Sequence, residues 1–126
     1  MGNFIFGQNQ ISYDIDASID ASGKKIQISQ KITFESLSPM SADTIYLTDW
    51  SNAYSSVKSP MAERFVEEYD RSFYLSNKSR LGFTVINSIT VDGLKTNWSR
   101  LENQPDIIRV VFNSSVGGNN TTTLSL

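Results

Sequence analysis

Acidic residues at alternate positions are the first feature of this sequence that suggests chemistry. A hard cation such as calcium prefers oxygen ligands in this arrangement. The run consists of Asp14, Asp16, Ser18 and Asp20. An EF-hand loop also needs glycine at its sixth position and glutamate at its twelfth, where this chain has Ile19 and Lys25. Alternation on the exposed face of a strand accounts for the same residues, so no metal site is predicted.

A second group of carboxylates lies later in the chain and offers a candidate acid–base pair. Its members are Glu63, Glu67, Glu68 and Asp70. Arg64 and Arg71 lie among them, as is typical of the solvated face of a helix, and no companion nucleophile is evident. No catalytic residue is therefore assigned, and the chain by itself is not expected to be an enzyme.

Three aromatic residues are candidates for binding. Trp50, Tyr54 and Trp98 have flat rings that could stack on a sugar or a peptide, since such rings give contact area at low entropic cost. Packing in the core or at a domain interface is the alternative, and it is the usual role of aromatic residues in a small β domain.

Composition excludes several classes of function. The chain has 126 residues, with 13 acidic and 11 basic side chains, and it contains neither histidine nor cysteine. Catalysis by imidazole and zinc sites made of imidazole or thiolate are thereby excluded. The net charge of −2 disfavours nucleic acid as a partner. No run approaches the ~20 apolar residues of a membrane-spanning helix, so no membrane span is expected.

The length and the hydrophobic content predict one domain over residues 1–126. Near its start, the segment from Phe4 to Gly7 has the character of the last part of a signal peptide, although a remnant of a cloning vector would explain it equally well. With the signal-peptide interpretation, the expected location is extracytoplasmic, either periplasmic or secreted.

Two alternating runs near the start predict a β-hairpin. They extend over residues 11–20 and 25–35, with apolar side chains on one face and polar side chains on the other. Pairing Asp20 with Lys25 sets Ile19 against Ile26, so that apolar faces apolar and acid faces base. The apolar face, which includes Ile15, Ile19, Ile26 and Ile28, is predicted to be buried.

The middle of the chain predicts a short strand and one helix. Residues 43–47 form the strand, and Ser59 followed by Pro60 is typical of a helix start. A spacing of four residues then places apolar side chains on one side of a helix, which we expect to lie against the sheet or a partner domain. These side chains are Met61, Phe65, Tyr69 and Phe73.

Strands return in the last third of the sequence. The predicted strands cover residues 83–91, 94–98, 106–113 and 121–126. Asp92-Gly93 between the first two is typical of a type I′ turn. The strand 106–113 is apolar on both faces, which predicts either a central position in a sheet or a position between layers. The whole pattern predicts an all-β fold, either a sandwich or a saddle-like antiparallel sheet, with one short helical insertion.

The order of several motifs resembles a known family. In sequence they are Tyr13-x-Ile15, Ile19-Asp20, Ile32-Thr33-Phe34, Asp43-Thr44-Ile45-Tyr46-Leu47, Trp50-Ser51-Asn52-Ala53-Tyr54, Pro60-Met61-Ala62 and Ile89-x-Val91-Asp92-Gly93. They follow one another as in the N-terminal β domain of aminopeptidase N-like (gluzincin) zinc metallopeptidases, in the form typical of Bacteroidetes. The resemblance extends from about Tyr13 to the end of the chain.

The resemblance implies a role without chemistry of its own. In that family the zinc, the His-Glu-x-x-His helix and the Gly-x-Met-Glu-Asn motif belong to a separate catalytic domain, and this sequence has neither motif. The chain is therefore expected to be a truncated, non-catalytic N-terminal domain that shapes the cleft of a parent peptidase. It would hold no cofactor, and it would meet peptide substrate only through the parent.

Two further expectations complete the sequence-based interpretation. The alternative function is a free-standing extracellular β-sandwich module that binds a peptide or a glycan. In either case, weak self-association of the isolated chain is expected through strand edges or through the apolar strand 107–112.

Overall fold

The computed structural model describes residues 10–35, 42–116 and 121–125. The strands are β1 (Gln10–Asp20), β2 (Lys25–Glu35), β3 (Ala42–Thr48), β4 (Thr90–Val91), β5 (Leu94–Lys95), β6 (Asn97–Leu101), β7 (Gln104–Val116) and β8 (Thr121–Ser125). One α-helix, α1 (Pro60–Glu67), and two 3-10 helices (Trp50–Tyr54 and Lys78–Arg80) complete the described elements. The predicted all-β class with one short helical insertion is confirmed.

The chain divides into two compact units. The first contains Met1–Asp43, Asn87–Asn97 and Phe112–Leu126, and the second contains Thr44–Ile86 and Trp98–Val111. Each unit has its own buried side chains. Those of the first are Ile32, Ile89 and Phe112, and the apolar ones of the second are Ala53, Ala62, Ile108 and Val110.

The sheet of the first unit contains the predicted hairpin in the predicted register. Its strands follow the order β1-β2-β8-β4-β5. Asp20 pairs with Lys25 and Ile19 with Ile26, as the alternation predicts. The match arises because the side-chain period of a strand is two, so a slip of one residue would place apolar side chains against polar ones.

Burial of the hairpin's apolar face, in contrast, was predicted wrongly. Ile15, Ile19, Ile26 and Ile28 are 56 to 77% exposed, whereas Ile32 on the same face is 4% exposed. The buried part of the face coincides with Lys31–Glu35, where β8 joins β2 and the sheet has the three or more strands that a stable apolar face requires. Beyond that point, within the described chain, the hairpin is a ribbon of two strands.

A type I′ turn connects β4 and β5, as predicted. Asp92 and Gly93 have φ angles of 50° and 80°, and Val91 pairs with Leu94 on either side of them. Asp92 also contacts β8, because its Oδ1 accepts a hydrogen bond from the Thr123 amide at 2.8 Å and its own amide donates to the Thr123 carbonyl at 2.8 Å. These bonds fix the turn to the sheet.

The strands flanking that turn are shorter than predicted. Of the predicted strand 83–91 only Thr90 and Val91 join the sheet, and the predicted strand 94–98 is interrupted at Thr96. The reason for the first difference is local. The backbone amide of Thr84 donates to a side-chain oxygen of Asn52 instead of to a neighbouring strand.

The second unit is built around β7. This strand is central in the order β3-β7-β6, and its residues Ile108 and Val110 are buried. The central position predicted from its two apolar faces is confirmed, although β7 is longer than the predicted 106–113. A central strand whose two faces are both covered by other parts of the protein needs apolar side chains on both faces.

The helix α1 starts as predicted but ends early. Ser59 caps it, because its Oγ accepts a hydrogen bond from the Ala62 amide at 3.3 Å. At the other end, Tyr69 is left-handed with φ 66°, and the Tyr69 and Asp70 amides donate to the carbonyls of Val66 and Phe65. These bonds form a Schellman motif with tyrosine where glycine is usual.

The aromatic stripe of the predicted helix is correspondingly divided. Tyr69 is 95% exposed, so its predicted packing on the sheet is wrong, while its packing on a partner domain stays a prediction. Phe73 lies outside the helix, but its ring is 5.9 Å from that of Phe65 in an edge-to-face contact. Phe73 therefore contacts the aromatic stripe from beyond the end of the helix.

Candidate binding surfaces

The three candidate aromatic residues lie in different surroundings. Trp50 starts the first 3-10 helix and is 58% exposed, while Tyr54 at the end of that helix is half-buried against Phe73, with ring centroids 5.7 Å apart. Trp98 is half-buried on β6. Among the described residues, no ring contact joins these three side chains. Only Trp50 therefore presents a largely free ring surface.

A polar network holds the 3-10 helix that carries Trp50 and Tyr54. Asp49 precedes this helix, and its Oδ2 accepts a hydrogen bond from Arg100 Nη2 at 2.7 Å. Its Oδ1 accepts another from Thr84 Oγ1 at 2.9 Å. Arg100 Nη1 in turn donates to the carbonyl of Pro105 at 2.8 Å. One carboxylate thus connects two distant segments of the second unit.

Asn52 extends this network from inside the helix. It is 6% exposed, its Nδ2 donates to the Pro105 carbonyl at 2.6 Å, and its Oδ1 accepts from the Thr84 amide at 3.3 Å. The backbone adds a further bond, from the Asp49 amide to the Asp106 carbonyl at 2.7 Å. The turn is thereby attached to the start of β7.

Sequence reasoning did not identify this network. Asp49, Thr84 and Arg100 are separated by 35 and 51 residues from the partners they meet, so no spacing pattern joins them. Asn52 and Ala53 belong to the Trp-x-Asn-Ala-Tyr element that carries the family resemblance, and both are buried. That element therefore acts as a structural anchor.

An exposed apolar segment runs beside the same turn. Phe83 and Val85 are each 70% exposed, while Thr84 between them bonds to Asp49. The segment approaches the turn closely, since a Cβ on Gly82 would lie 3.9 Å from the Ser51 carbonyl. Because neighbouring side chains of an extended chain alternate in direction, Phe83 and Val85 point away from the network.

A polar cavity of about 530 Å³ lies at the start of α1. Its lining consists of Ser55, Ser56, Lys58, Ser59, Pro60, Glu63, Glu102, Asn103 and Pro105. The buried hydroxyl of Ser59 is already used, because it donates to the Ala53 carbonyl at 2.6 Å and accepts from Ala62. A lining of this kind differs from the mostly apolar walls of small-molecule sites.

One side of the β1–β2 hairpin is an exposed apolar surface of the first unit. We name it the isoleucine face; it consists of Ile11, Tyr13, Ile15, Ile19, Ile26 and Ile28, which are 49 to 77% exposed. Charged side chains of the hairpin project to the opposite side. They are Asp14, Asp16, Asp20, Lys25 and Lys31. The face carries one polar side chain, Gln30 opposite Ile15, and no charge, and an exposed apolar patch of this kind is typical of a protein-binding surface.

Asp20, the last aspartate of β1, is hydrogen-bonded within the turn that follows the strand. Asp20 Oδ1 accepts hydrogen bonds from Gly23 N at 2.9 Å and from Ser22 Oγ at 2.7 Å. The Gly23 amide and then the Ser22 hydroxyl hold the pKa of Asp20 below its ordinary value of 3.8. Within residues 10–35, 42–116 and 121–125, no three acidic side chains are grouped so as to hold a metal ion.

Comparison with known proteins adds no relative. The chain matches no protein-family model, and neither the curated proteins nor the solved structures contain a match to it. The resemblance to aminopeptidase N-like peptidases therefore stays a proposal. In the described part of the chain, no helix is long and apolar enough to cross a membrane.

Proposed function

We propose that this chain is a non-catalytic β domain that packs against a partner domain through the isoleucine face. In its specific form, the proposal is that the partner is the catalytic domain of a zinc aminopeptidase, whose cleft this chain shapes. The zinc and the reaction then belong to the partner domain, and peptide substrate reaches this chain only through it.

The exposed isoleucine face is the observation that carries the proposal. Burial of an aliphatic side chain contributes about 1.5–3 kcal/mol, so covering half-exposed residues such as Ile15 and Ile28 would stabilise a complex appreciably. A ribbon of two strands is at best marginally stable in water by itself. A partner that covers this face would stabilise the hairpin together with the complex.

Asn52 and Ala53, the buried residues of the Trp-x-Asn-Ala-Tyr element, support the specific form. Asn52 is buried in hydrogen bonds to backbone groups, and Tyr54 packs on Phe73. The side-chain amide of Asn52 is thereby used in maintaining the fold, and the ring of Tyr54 is used in packing. A non-catalytic role is what the resemblance implies for this domain.

The surrounding coding sequence tests the specific form. We expect the same reading frame to encode His-Glu-x-x-His within a few hundred residues after Leu126. A stop codon immediately after Leu126, or an unrelated domain in that position, would contradict the peptidase proposal and would favour a binding module.

Substitutions on the hairpin test the docking surface. In the parent protein, Ile15→Ser with Ile28→Ser should weaken the association of this chain with the catalytic domain, measured by limited proteolysis between them. The matched control, Ser18→Ala with Gln27→Ala, changes a cross-strand pair on the opposite face of the same hairpin. Equal proteolysis of the two double variants would contradict docking through the isoleucine face.

The alternative function is a free-standing extracellular module that binds a peptide or a glycan. The exposure of Trp50, next to the exposed segment of Phe83 and Val85, favours a site at this turn, with Tyr54 and Trp98 as supporting aromatics. Quenching of tryptophan fluorescence across glycan and peptide libraries tests it. Binding that is lost in Trp50→Ala and kept in Trp98→Phe would support the alternative; an absence of binding by the unsubstituted chain would oppose it.

A further inference from the structure

In the part of the chain that the structure describes, no strand pairs with the outer edge of β1. β1 lies at the end of its sheet, and within the described residues β2 alone pairs with it. Every residue from Ile11 to Asp20 is exposed. An unpaired edge of this length presents a row of backbone amides and carbonyls that an additional strand can bind.

The side chains along this edge have a distinct pattern. One side carries the isoleucine-face residues of β1, and the other carries Ser12, Asp14, Asp16, Ser18 and Asp20. Asp14 and Asp20 lie opposite Lys31 and Lys25 of β2, but Asp16 lies opposite Ser29. β1 itself contains no basic residue. Its polar side is therefore acidic at the open edge.

We propose that the edge of β1 binds an extended protein segment in which basic and apolar residues alternate. The segment would add a strand to the sheet through backbone hydrogen bonds. Its apolar side chains would continue the isoleucine face, and its lysines or arginines would lie across from the aspartates. Opposite charges on directly facing strands are favourable and like charges are unfavourable.

A second copy of this chain fits the same edge less well. In the antiparallel register centred on Ile15, Asp14 of one copy would face Asp16 of the other, in both directions. Because β1 lacks basic residues, no register of two β1 strands creates an opposite-charge pair. The charge pattern of this edge thus selects a partner other than a second β1 strand.

The inference does not rest on the proposed function. Docking through the isoleucine face uses side chains on one side of the hairpin, whereas strand addition uses the backbone edge of β1. A domain can cover the face while the edge stays free, and a strand can pair with the edge in the isolated chain. The two proposals therefore fail or succeed independently.

Binding of a short peptide tests strand addition directly. The probe is a nine-residue peptide that alternates lysine and valine, added to the chain while backbone amide exchange is followed by NMR. We expect increased protection of amides in β1 and no change in α1. Two control peptides carry N-methyl groups on one or the other set of alternate amides. N-methylation of the amides that face β1 should abolish binding, and N-methylation of the other set should leave binding intact.

Charge reversal at the edge supplies the matched test. Asp16→Lys and Glu67→Lys both raise the net charge by two, but Glu67 lies on α1, in the other unit of the chain. We expect Asp16→Lys to weaken binding of the lysine peptide by about threefold to tenfold and Glu67→Lys to leave it within about twofold. A peptide with glutamate in place of lysine should bind Asp16→Lys better than the unsubstituted chain.

Three results would overturn the proposal. The first is equal binding of the lysine, glutamate and N-methylated peptides, which would exclude backbone pairing. The second is an equal effect of Asp16→Lys and Glu67→Lys on binding, which would show that the peptide responds only to the net charge of the protein. The third is protection of the β1 amides in the chain alone with rising protein concentration, which would show that a second copy occupies the edge.

Discussion

The side chains of Asp49 and Arg100 form an ion pair of 2.7 Å although 51 residues separate them in the chain. The two side chains are 11 and 22% exposed, so water screens the pair only partly. The same guanidinium reaches the carbonyls of Pro105 and Thr84. One arginine therefore holds the extended segment 81–86, the first 3-10 helix and the start of β7 together.

The first prediction concerns this ion pair. Arg100→Met should lower the free energy of unfolding by about 2–4 kcal/mol, because it leaves the Asp49 carboxylate partly buried without its cation. Asp49→Ala should have a similar effect, and the double variant should be less destabilised than the sum of the two. Urea unfolding measures all three. Strict additivity would show that the two side chains act independently.

A second prediction follows from the unequal burial of the hairpin. Ile32→Ala should cost about 2–5 kcal/mol of stability by leaving a cavity, because Ile32 is 4% exposed. Ile28→Ala, 56% exposed on the same face, should cost about 1 kcal/mol or less in the isolated chain. Thermal unfolding of the two variants compares them, and equal losses of stability would mean that a layer covers Ile28 in solution.

The type I′ turn supports a third prediction. Gly93 has a φ of 80°, where an L-residue is strained, so Gly93→Ala should destabilise the protein by about 1–2 kcal/mol. Gly82→Ala is the control, because a Cβ there would meet only the Ser51 carbonyl at an ordinary 3.9 Å. Chemical denaturation distinguishes them. If Gly82→Ala were the more damaging change, the role assigned to the turn would be wrong.

The Asp20 turn makes the fourth prediction, on pH. The folded-state pKa of Asp20 is lowered, first by the Gly23 amide and then by the Ser22 hydroxyl. The stability it contributes is therefore present above the ordinary value of 3.8 and is lost as the pH falls through the folded-state pKa. Ser22→Ala should raise the pKa of Asp20 toward 3.8 in an NMR titration. Ser18→Ala, which removes no bond to this carboxylate, should leave it unchanged.

Local pattern was sufficient for several elements and insufficient for others. Alternation predicted the pairing of Ile19 with Ile26, because the partners are separated by one short turn. Ser59 and Pro60 predicted the start of α1 for the same reason, since an N-cap acts within one turn. The end of α1 was not predictable, because its left-handed position holds Tyr69 and lacks the usual glycine signal.

The candidate site shows the same division. Residue type alone identified Trp50, Tyr54 and Trp98 as candidates. Their exposure depends on which side chains pack on them, such as Phe73 on Tyr54. The network of Asp49 and Arg100 had no sequence signal at all. The network forms only when segments that are far apart in the sequence come together in the fold. No periodic pattern in the sequence indicates which segments these are.

By itself, the sequence determined which side chains share a face, where the hairpin turns, and that β7 is central in its sheet. These properties follow from a strand period of two and from turn residues with restricted backbone angles. Only the tertiary structure decided that Ile28 is exposed while Ile32 is buried, and that Arg100 meets Asp49. Covering a face or closing a distant ion pair requires another part of the chain to arrive there, and local periodicity carries no information about which part arrives.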